Sequence, residues 1–570
     1  MFFLRRLFFF YIFFLLLIPI LTSATDYYVD GTNGQWNNDG LTPETAWSSI
    51  YLAKINLQPG DTVYIREGIY TRYDERIIPS NSGTPGNYIT YTNYQNETVI
   101  LRGNDDRRFN GAFWLTNKNY IKIDGLIFDG VSGGQTWGDY KYLKEFGRII
   151  NSSYIIIQNC KMSYAEGWFG ILIDKDSHHN KIINNTMHHL GYPEPPADDD
   201  YGNTIGVFGD YNLIEGNNIS YGGHNLVEIT AGKHNIVRNN YLHSHNGRCI
   251  GINNVYEEET DRYNVVENNI ISYSSLLNNC GMQSEQIYAI IRFNEFYNNW
   301  GNGLYIYNTQ GTGVDKGSYT KIYNNVIYNN GHLAEGPKSH VFHNGLALFD
   351  WSGGSREFEN ISIKNNIFYK NNKSGILFYD TPMENHIVEN NLESIDPLFI
   401  DEAKYDFHLQ NNSPCIDVGT FLTVTTSAGT GIKIPVGDAS YFIDGFGIVE
   451  GDVIQLEGQS ITARIVSIDY DNNVLTVDRS LNWTSGLGVS LSYSGSAPDI
   501  GVYEFDSGET PSLPEPILGD LNNDGVVDIL DLTIVANNFG LTSGFDQRAD
   551  TDNDGEVDIF DIVFVASRFT

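Results

Sequence analysis

The chain has 570 residues, a length that predicts several domains, and its 35 Lys and Arg against 70 Asp and Glu give a formal net charge of −35. A surface this acidic repels nucleic-acid phosphates and anionic membranes, which argues against both as partners. Four cysteines (Cys160, Cys249, Cys280 and Cys415) are too few for a disulfide scaffold and form no CxxC zinc motif, so we expect buried thiols.

The first 24 residues have the layout of a secretory signal peptide. Arg5 and Arg6 precede an apolar run from Leu7 to Leu21, and Thr22-Ser23-Ala24 provides small residues for cleavage. The run is short for a membrane span. We therefore expect a secreted or cell-surface protein with no membrane span after cleavage; a retained anchor is the alternative.

A short phrase repeats between about residues 150 and 390: two apolar residues, a polar residue and Asn-x-apolar, as in IINNTM and IVRNNYL. Each copy is followed by a second alternating strand, such as LVEITAG, and no helical period is present. Asparagine suits the corners because it tolerates left-handed backbone angles and its amide can bond the next coil. The marker asparagine recurs at spacings of 32, 23, 29, 25, 31 and 41 residues: Asn185, Asn217, Asn240, Asn269, Asn294, Asn325 and Asn366. A short unit with corner insertions predicts a parallel β-helix.

The wider pattern resembles secreted right-handed parallel β-helix proteins of the polysaccharide-lyase type. DYYVDGTNGQWNNDGLTPETAWSS is similar to their entry segment and DPLFIDEAKYDFHLQNNSPCID to their closing segment. The resemblance implies a mainly β domain over residues 25–419. Its N-terminal cap, at about 26–70, would contain a short helix from about Pro43 to Asn56.

The closing segment is interrupted. Its usual continuation, APDIGVYEF, comes only at 497–505. We therefore predict an inserted small β module at residues 420–495, a closing segment of the β-helix domain at 496–506, and a proline-containing linker at 507–518.

Two 12-residue loops follow the linker: DLNNDGVVDILD (520–531) and DTDNDGEVDIFD (550–561). Oxygen donors and a glycine at the sixth position match the pattern with which EF-hand loops wrap calcium, whereas two plain acidic turns are the alternative. Two such loops, each followed by an apolar helix, resemble a dockerin over residues 519–570. The expected ligands of two calcium ions are Asp520, Asn522, Asp524, Val526, Asp528 and Asp531, and Asp550, Asp552, Asp554, Glu556, Asp558 and Asp561.

The dockerin resemblance implies docking onto a cohesin-bearing protein. The family's usual contact positions hold Ile529-Leu530 and Ile559-Phe560 instead of Ser-Thr. A contact within the chain itself is therefore an alternative to a separate cohesin.

One edge of the predicted β-helix is polar. Alternation in LVEIT points Val227 and Ile229 inward and Glu228 outward, and Lys233 follows just past the strand. Tyr307, Trp351 and Tyr379 lie near this edge and are suited to stack on sugar rings. The equivalent places in other coils hold acids and amides: Asp174, Asp176, Asp210, Asn253, Asn254, Asn308, Asp350 and Asp380. The alternative is a polar face that only contacts water.

This edge is where we expect the chemistry. β-Elimination from a uronate needs a base for the C5 proton, a cation for the carboxylate and an acid for the leaving oxygen. Glu228 and Lys233 resemble the calcium-ligand and base pair of the chondroitinase-B and alginate-lyase family. The resemblance implies Lys233 as base, Glu228 for metal or carboxylate handling, and Arg248 as acid. His243 and His245 are alternative proton donors, and His188, His189 and His224 lie near equivalent corners.

The substrate is expected to contact Asp174, Asp210, Asn253, Tyr307 and Trp351. Calcium held by Glu228 with Asp174, Asp176 or Asp210 would reconcile an acidic protein with an anionic glycan.

The sequence thus predicts a carbohydrate-active protein that degrades an acidic polysaccharide by β-elimination. Two alternatives stay open: a glycoside hydrolase using paired carboxylates such as Asp174, Asp210 and Asp350, and a non-catalytic glycan-binding or adhesive protein.

Overall fold

The computed structural model describes residues 24–102, 111–130, 145–165, 168–190, 202–245, 247–253, 263–274, 280–308, 317–332, 343–350, 358–505, 521, 527, 529–541, 549, 551, 557 and 559–566. They belong to two compact units, which divide between residues 504 and 505. Residues 1–23 of the predicted signal segment and the whole predicted linker lie outside the described residues. No described helix is long and apolar enough to cross a membrane.

In the described part of the chain, the larger unit is a parallel β-helix in which each complete coil contributes one strand to each of three sheets. Sheet 1 has thirteen strands: Asp26–Val29, Thr62–Ile65, Ile89–Asn93, Ile121–Asp124, Ile156–Gln158, Lys181–Ile183, Leu213–Glu215, Ile236–Arg238, Val265–Glu267, Ile290–Arg292, Lys321–Tyr323, Ser362–Lys364 and Ile387–Glu389. Sheet 2 has twelve: Gly68–Tyr70, Val99–Arg102, Ile127–Asp129, Lys161–Ala165, Thr186–Leu190, Asn218–Ser220, Tyr241–His245, Ile270–Ser274, Glu295–Tyr297, Val326–Tyr328, Ile367–Tyr369 and Leu392–Glu393. Sheet 3 has ten: Phe113–Thr116, Gly147–Ile150, Phe169–Ile173, Asn203–Val207, Asn225–Thr230, Arg248–Asn253, Met282–Ser284, Leu304–Asn308, Leu346–Asp350 and Ile376–Tyr379.

The asparagines that mark the repeat form a buried ladder between sheets 1 and 2. The backbone N–H and the side-chain amide of Asn240 both donate to Oδ1 of Asn269 in the next coil, at 3.0 and 2.9 Å. Each marker repeats this pattern, and Cys160 continues the ladder through its backbone N–H. The left-handed backbone angle belongs to the preceding residue, for example Asn239 with φ of 56°. The hydrogen bond to the next coil and the left-handed backbone angle thus belong to two neighbouring residues, whereas we expected one asparagine to provide both.

An aromatic ladder follows the corner between sheets 3 and 1. Consecutive rings lie 4.7–6.0 Å apart along Tyr120, Tyr154, His179, Tyr211, His234, Tyr263, Tyr288 and Tyr319. Phe446 and Tyr470 of the segment inserted after the β-helix pack on it, with ring centroids 4.7 Å from His234 and 4.5 Å from Tyr263.

That inserted segment contains a six-stranded antiparallel sheet, with strands Thr423–Val424, Gly429–Pro435, Val453–Leu456, Thr462–Asp469, Val474–Trp483 and Gly488–Leu491. It packs on an apolar row on the outer face of sheet 1, formed by Leu213, Ile236, Val265 and Ile290. Arg292 joins the two parts, 2.7 Å from Asp452 and 2.6 Å from Glu267. An apolar outer row on a β-helix is therefore explained by the module that covers it.

The N-terminal cap differs from the expected single helix. Residues Pro43–Thr45 form a 3-10 turn and Ile50–Asn56 an α-helix, which Ser49 caps by accepting the backbone N–H of Tyr51. Trp47 lies between them in a bridge to Val29, and this extended pairing interrupts the helix.

The remaining elements are short. Further 3-10 turns span Tyr73–Glu75, Met383–Asn385 and Glu402–Lys404, and strands Phe399–Asp401 and Asp406–Leu409 pair antiparallel. The smaller unit has helices Ile529–Asn538 and Ile559–Ala566 around a core of Val527, Val535, Ala549, Val557 and Val565. All four cysteines are buried and unpaired.

Candidate functional site

The outer face of sheet 3 carries the polar residues that could bind a ligand. Val227 and Ile229 are fully buried, so the intervening Glu228 faces outward, as strand alternation predicts. The pairing register aligns Glu228 with Gly206 in the preceding coil and Gly251 in the next, and Gly251 with Gln283. We call this row, with its immediate neighbours, the sheet 3 face.

Donors on three adjacent strands hold the Glu228 carboxylate. The Asn203 amide donates to one carboxylate oxygen, and the Asn253 amide donates to the other at 2.6 Å. The Thr230 hydroxyl donates to that second oxygen at 3.2 Å. Glu228 is therefore fixed in orientation by its surroundings.

Glycines on both sides of Glu228 make room for other side chains. A Cβ at Gly206 would lie 2.4 Å from the Phe169 ring, and one at Gly251 would lie 3.0 Å from Oδ1 of Asn225. An aromatic ring and an amide consequently lie on the sheet beside the carboxylate.

Arg248 connects to Glu228 through a chain of polar contacts. Its Nη1 lies 2.7 Å from Nε2 of His224, and Nδ1 of His224 lies 2.9 Å from the side-chain nitrogen of Asn225. Asn225 in turn donates to Oδ1 of Asn203 at 3.2 Å, and Asn203 donates to Glu228. A guanidinium only donates, so Nε2 of a neutral His224 accepts this hydrogen bond. Nε of Arg248 is buried without a hydrogen-bond partner.

The face becomes aromatic further along the β-helix. Gln283 donates to the Tyr307 hydroxyl at 2.8 Å, and Tyr305 stacks on Tyr307 with ring centroids 5.2 Å apart. Burial raises the pKa of Tyr307, and nearby Glu285 adds to the rise while Arg248 opposes it. The phenol therefore stays protonated at neutral pH.

Lys233 lies beyond this face, in the corner between sheets 3 and 1. Its backbone N–H donates to Oδ1 of Asp210 at 2.8 Å. Oδ1 of Asp174 similarly accepts the Ser177 hydroxyl at 2.5 Å and the Asn151 N–H at 3.1 Å. Asp174 and Asp210 thus hold the backbone of their corners.

The histidines considered as acids occupy different places. His243 lies on sheet 2, where Nε2 is 3.0 Å from Oδ1 of Asn218 and burial lowers its pKa to about 4. His245 is fully buried beside the backbone carbonyl of His224, and burial lowers its pKa to about 3. His188 and His189 also lie on sheet 2, with their Nδ1 atoms 3.0 Å apart. Among the candidate histidines that the structure describes, only His224 takes part in the chain of contacts to Glu228.

The structure therefore brings Glu228 and Asn253 into direct contact, and His224 and Asn225 link Arg248 to them. Trp351 lies outside the described residues. His224 is one of several candidate histidines in the sequence, whereas Asn203, Asn225 and Gln283 are additional residues that the sequence does not single out. Only the pairing register between coils reveals these three residues, and corner insertions of unequal length conceal that register in the sequence.

The paired loops of the smaller unit are partly described. The Asp531 carboxylate is fully buried and accepts the Leu521 N–H at 2.7 Å. Asp561 is equally buried and accepts the N–H and hydroxyl of Thr551 at 2.6 and 2.9 Å. Each final aspartate thus closes onto the second residue of its own loop, a geometry that fits calcium loops. The other predicted ligands lie outside the described residues: Asp520, Asn522, Asp524, Val526, Asp528, Asp550, Asp552, Asp554, Glu556 and Asp558.

Among the described residues, no group of three or more His, Cys, Asp or Glu side chains is placed to hold a metal ion. In the described part of the chain, Glu228 therefore does not form a metal-binding cluster with Asp174, Asp176 or Asp210, which we predicted as ligands of a calcium ion in the groove.

Comparison with known proteins gives matches in both units. Residues 27–195 match a model of Pel9A-like right-handed β-helix regions, and residues 148–314 and 203–392 match a general right-handed β-helix model. Residues 518–570 match the dockerin type I domain, a domain type that binds calcium. The uncharacterized protein YwoF of Bacillus subtilis is 33% identical over 110 residues, which is 19% of this chain and 23% of that protein. The match thus spans about a quarter of that relative's length.

Solved structures of similar form include the pectate lyase Pel9A, with a TM-score of 0.47 and 14% identity over 85% of this chain and 98% of that one. The PL6 polysaccharide lyase of Pseudopedobacter saltans has a TM-score of 0.42 and 15% identity over 64% and 95%. A lacto-N-biosidase of Eubacterium ramulus has a TM-score of 0.43 and 12% identity over 64% and 68%. From the strand pairing and the family models, the chain is a right-handed parallel β-helix protein with a C-terminal dockerin type I domain.

Proposed function

We propose that the chain is an extracellular enzyme that binds an acidic polysaccharide along the sheet 3 face and cleaves it by β-elimination. The observation that carries the proposal is the chain of contacts from Arg248 through His224, Asn225 and Asn203 to Glu228. It supports the proposal because it gives a strongly acidic protein, with a net charge of −35, an oriented guanidinium that could meet an anionic sugar.

Arg248 is the group suited to neutralise the uronate carboxylate. A guanidinium binds carboxylates in a planar, two-point geometry. His224 contacts Nη1 and thereby fixes the orientation of the guanidinium. Since a guanidinium keeps its charge throughout the ordinary pH range, we assign Arg248 to charge neutralisation instead of proton donation.

The proton transfers are assigned to other groups. Lys233, in the corner that follows Glu228, remains the proposed base for the C5 proton. Tyr307 offers a protonated hydroxyl for the leaving oxygen, because burial keeps its pKa high. Glu228 and Asn253 are proposed to bind sugar hydroxyls beside them, and His243 is left out because it lies on sheet 2.

The dockerin domain implies a cohesin-bearing partner. We propose that calcium-dependent docking onto that partner holds the β-helix near its polysaccharide outside the cell. The apolar pairs Ile529-Leu530 and Ile559-Phe560 would then give a cohesin preference different from that of Ser-Thr dockerins.

A panel of polyuronates tests the elimination. The expected product absorbs in the ultraviolet because elimination leaves a double bond conjugated with the uronate carboxylate. We expect Arg248→Ala and Lys233→Ala each to lower kcat/KM by at least about 100-fold, as loss of a charged group in the transition state predicts. New reducing ends without ultraviolet absorbance would indicate hydrolysis instead, and binding without either signal would indicate a non-catalytic glycan-binding protein.

A further inference from the structure

The inserted module carries a cleft with a volume of ≈ 790 Å³. Its walls are the turn between strands Val453–Leu456 and Thr462–Asp469, the segment after Gly488–Leu491, and Glu504 from the closing segment. The module packs on sheet 1, whereas the proposed cleavage site lies on sheet 3. The two are therefore separate sites on different faces of the β-helix.

The side chains that line this cleft carry amide, hydroxyl and carboxyl groups. Among them are the amides of Gln455 and Gln459, the Tyr493 phenol, the Glu504 carboxyl, and the hydroxyls of Ser460 and Thr462. Since none of the described lining residues is Lys, Arg or His, nothing in the cleft neutralises an anion.

Hydrogen bonds join the walls of the cleft. The Gln455 side chain accepts the Tyr493 N–H at 3.2 Å and donates to the Gln459 carbonyl at 2.8 Å. The Gly458 N–H donates to the Tyr493 hydroxyl at 3.3 Å, which joins the turn to the facing wall. A site preorganised in this way loses little conformational entropy on binding.

Glu504 adds a group that can both accept and donate. Its two oxygens accept the N–H groups of Ser494 and Asp499 at 3.1 and 3.0 Å, which leaves each with a free lone pair. Burial, with Asp499 and Asp417 nearby, raises the pKa of Glu504 to about 7. Near neutral pH the carboxyl is consequently present in both forms.

We propose that this cleft binds a sugar unit of a neutral glycan, so that the inserted module is a carbohydrate-binding element. Hydroxyls and amides are the side chains that match a ligand made of hydroxyl groups, because each can donate and accept. The module would hold the protein on neutral polysaccharide while the sheet 3 face meets an acidic one.

Affinity electrophoresis of the full chain in gels containing xylan, galactomannan, mixed-linkage β-glucan or galactan tests the proposal. We expect at least one neutral polysaccharide to retard migration. Ser460→Trp, which fills the cleft from an exposed position, should weaken that binding by at least about tenfold. Thr462→Ala should weaken it in the same direction without adding bulk, and its thermal unfolding verifies that the module is folded.

Two matched controls separate this site from other surfaces. Ser467→Trp places the same ring at an exposed serine of the module outside the cleft, and it should bind as wild type does. Arg248→Ala should also keep the neutral-glycan binding, even where polyuronate cleavage is lost. Failure of all four polysaccharides to retard the chain, or equal binding by wild type and Ser460→Trp, would overturn the proposal.

Discussion

His224 is placed to position Arg248. Its imidazole lies between the guanidinium and the Asn225 amide, at 2.7 and 2.9 Å. The nearby His243 instead contacts Asn218 and Ser244 on another sheet, at 3.0 and 2.9 Å. His243, 19 positions after His224, therefore provides a control for a substitution at His224.

We expect His224→Ala to raise KM for a cleaved polyuronate by about tenfold, because the guanidinium loses one hydrogen-bond partner worth on the order of 1–2 kcal/mol. His243→Ala should leave KM near the wild-type value. Steady-state kinetics of the two variants decide the matter: equal effects would show that His224 has no special part in substrate binding.

At the scale of the strand and corner, the asparagine ladder is the feature on which the β-helix most visibly depends. Asn240 is 1% exposed, accepts two hydrogen bonds from Asn217, and donates to Asn269 and to the Ile214 carbonyl. Its neighbour Asn239 is exposed and serves the corner with a φ of 56°.

Asn240→Ala is expected to destabilise the β-helix by about 1–3 kcal/mol, because it leaves the buried backbone N–H of Asn217 without its acceptor. Asn239→Gly should cost far less, since glycine adopts the left-handed conformation readily. Chemical denaturation followed by circular dichroism measures both. A larger loss for Asn239→Gly would contradict the division of tasks between the two residues.

The repeat made these elements predictable, whereas the site was predictable only in part. The marker asparagines and the outward direction of Glu228 follow from local spacing and alternation. The links from Arg248 to His224 and from Glu228 to Asn203 join different coils, and corner insertions of unequal length conceal which residues align. The split of the cap helix at Trp47 has a similar cause, because its pairing with Val29 is a tertiary contact.

Glu295 links the closing segment to sheet 2 and makes stability depend on pH. It is 5% exposed and accepts the Tyr503 hydroxyl at 2.6 Å, and burial raises its pKa to about 7. Between about pH 4.5 and 7 the folded state holds a proton that the unfolded state has lost, so stability falls as pH rises through this window.

Glu295→Gln removes that titration while keeping an acceptor for Tyr503. We expect the variant to gain stability over the wild type above pH 7, by on the order of 3 kcal/mol at most, and to gain none below about pH 4.5. Unfolding midpoints measured across this range provide the comparison. Parallel pH profiles for the two proteins would show that Glu295 does not titrate in the window.

At the scale of the whole molecule, the chain combines a β-helix whose described ladders are hydrogen bonds between amides with a unit built around two predicted calcium loops. The acidic residues of those loops lie close together in sequence, so calcium should supply much of the energy that folds them. The buried carboxylates of Asp531 and Asp561, each bonded to the second residue of its loop, are the described part of that arrangement.

Calorimetric titration of the full chain should accordingly show two calcium ions bound. Asp531→Ala and Asp561→Ala should each remove one ion, because each loses the residue that closes one loop. Chelation should reduce the helical circular dichroism signal and abolish cohesin binding, while the unfolding transition of the β-helix stays in place since its ladders contain no metal ligand. Two ions still bound by both variants would exclude these aspartates as ligands, and a β-helix transition that shifts on chelation would place a structural calcium ion in the larger unit.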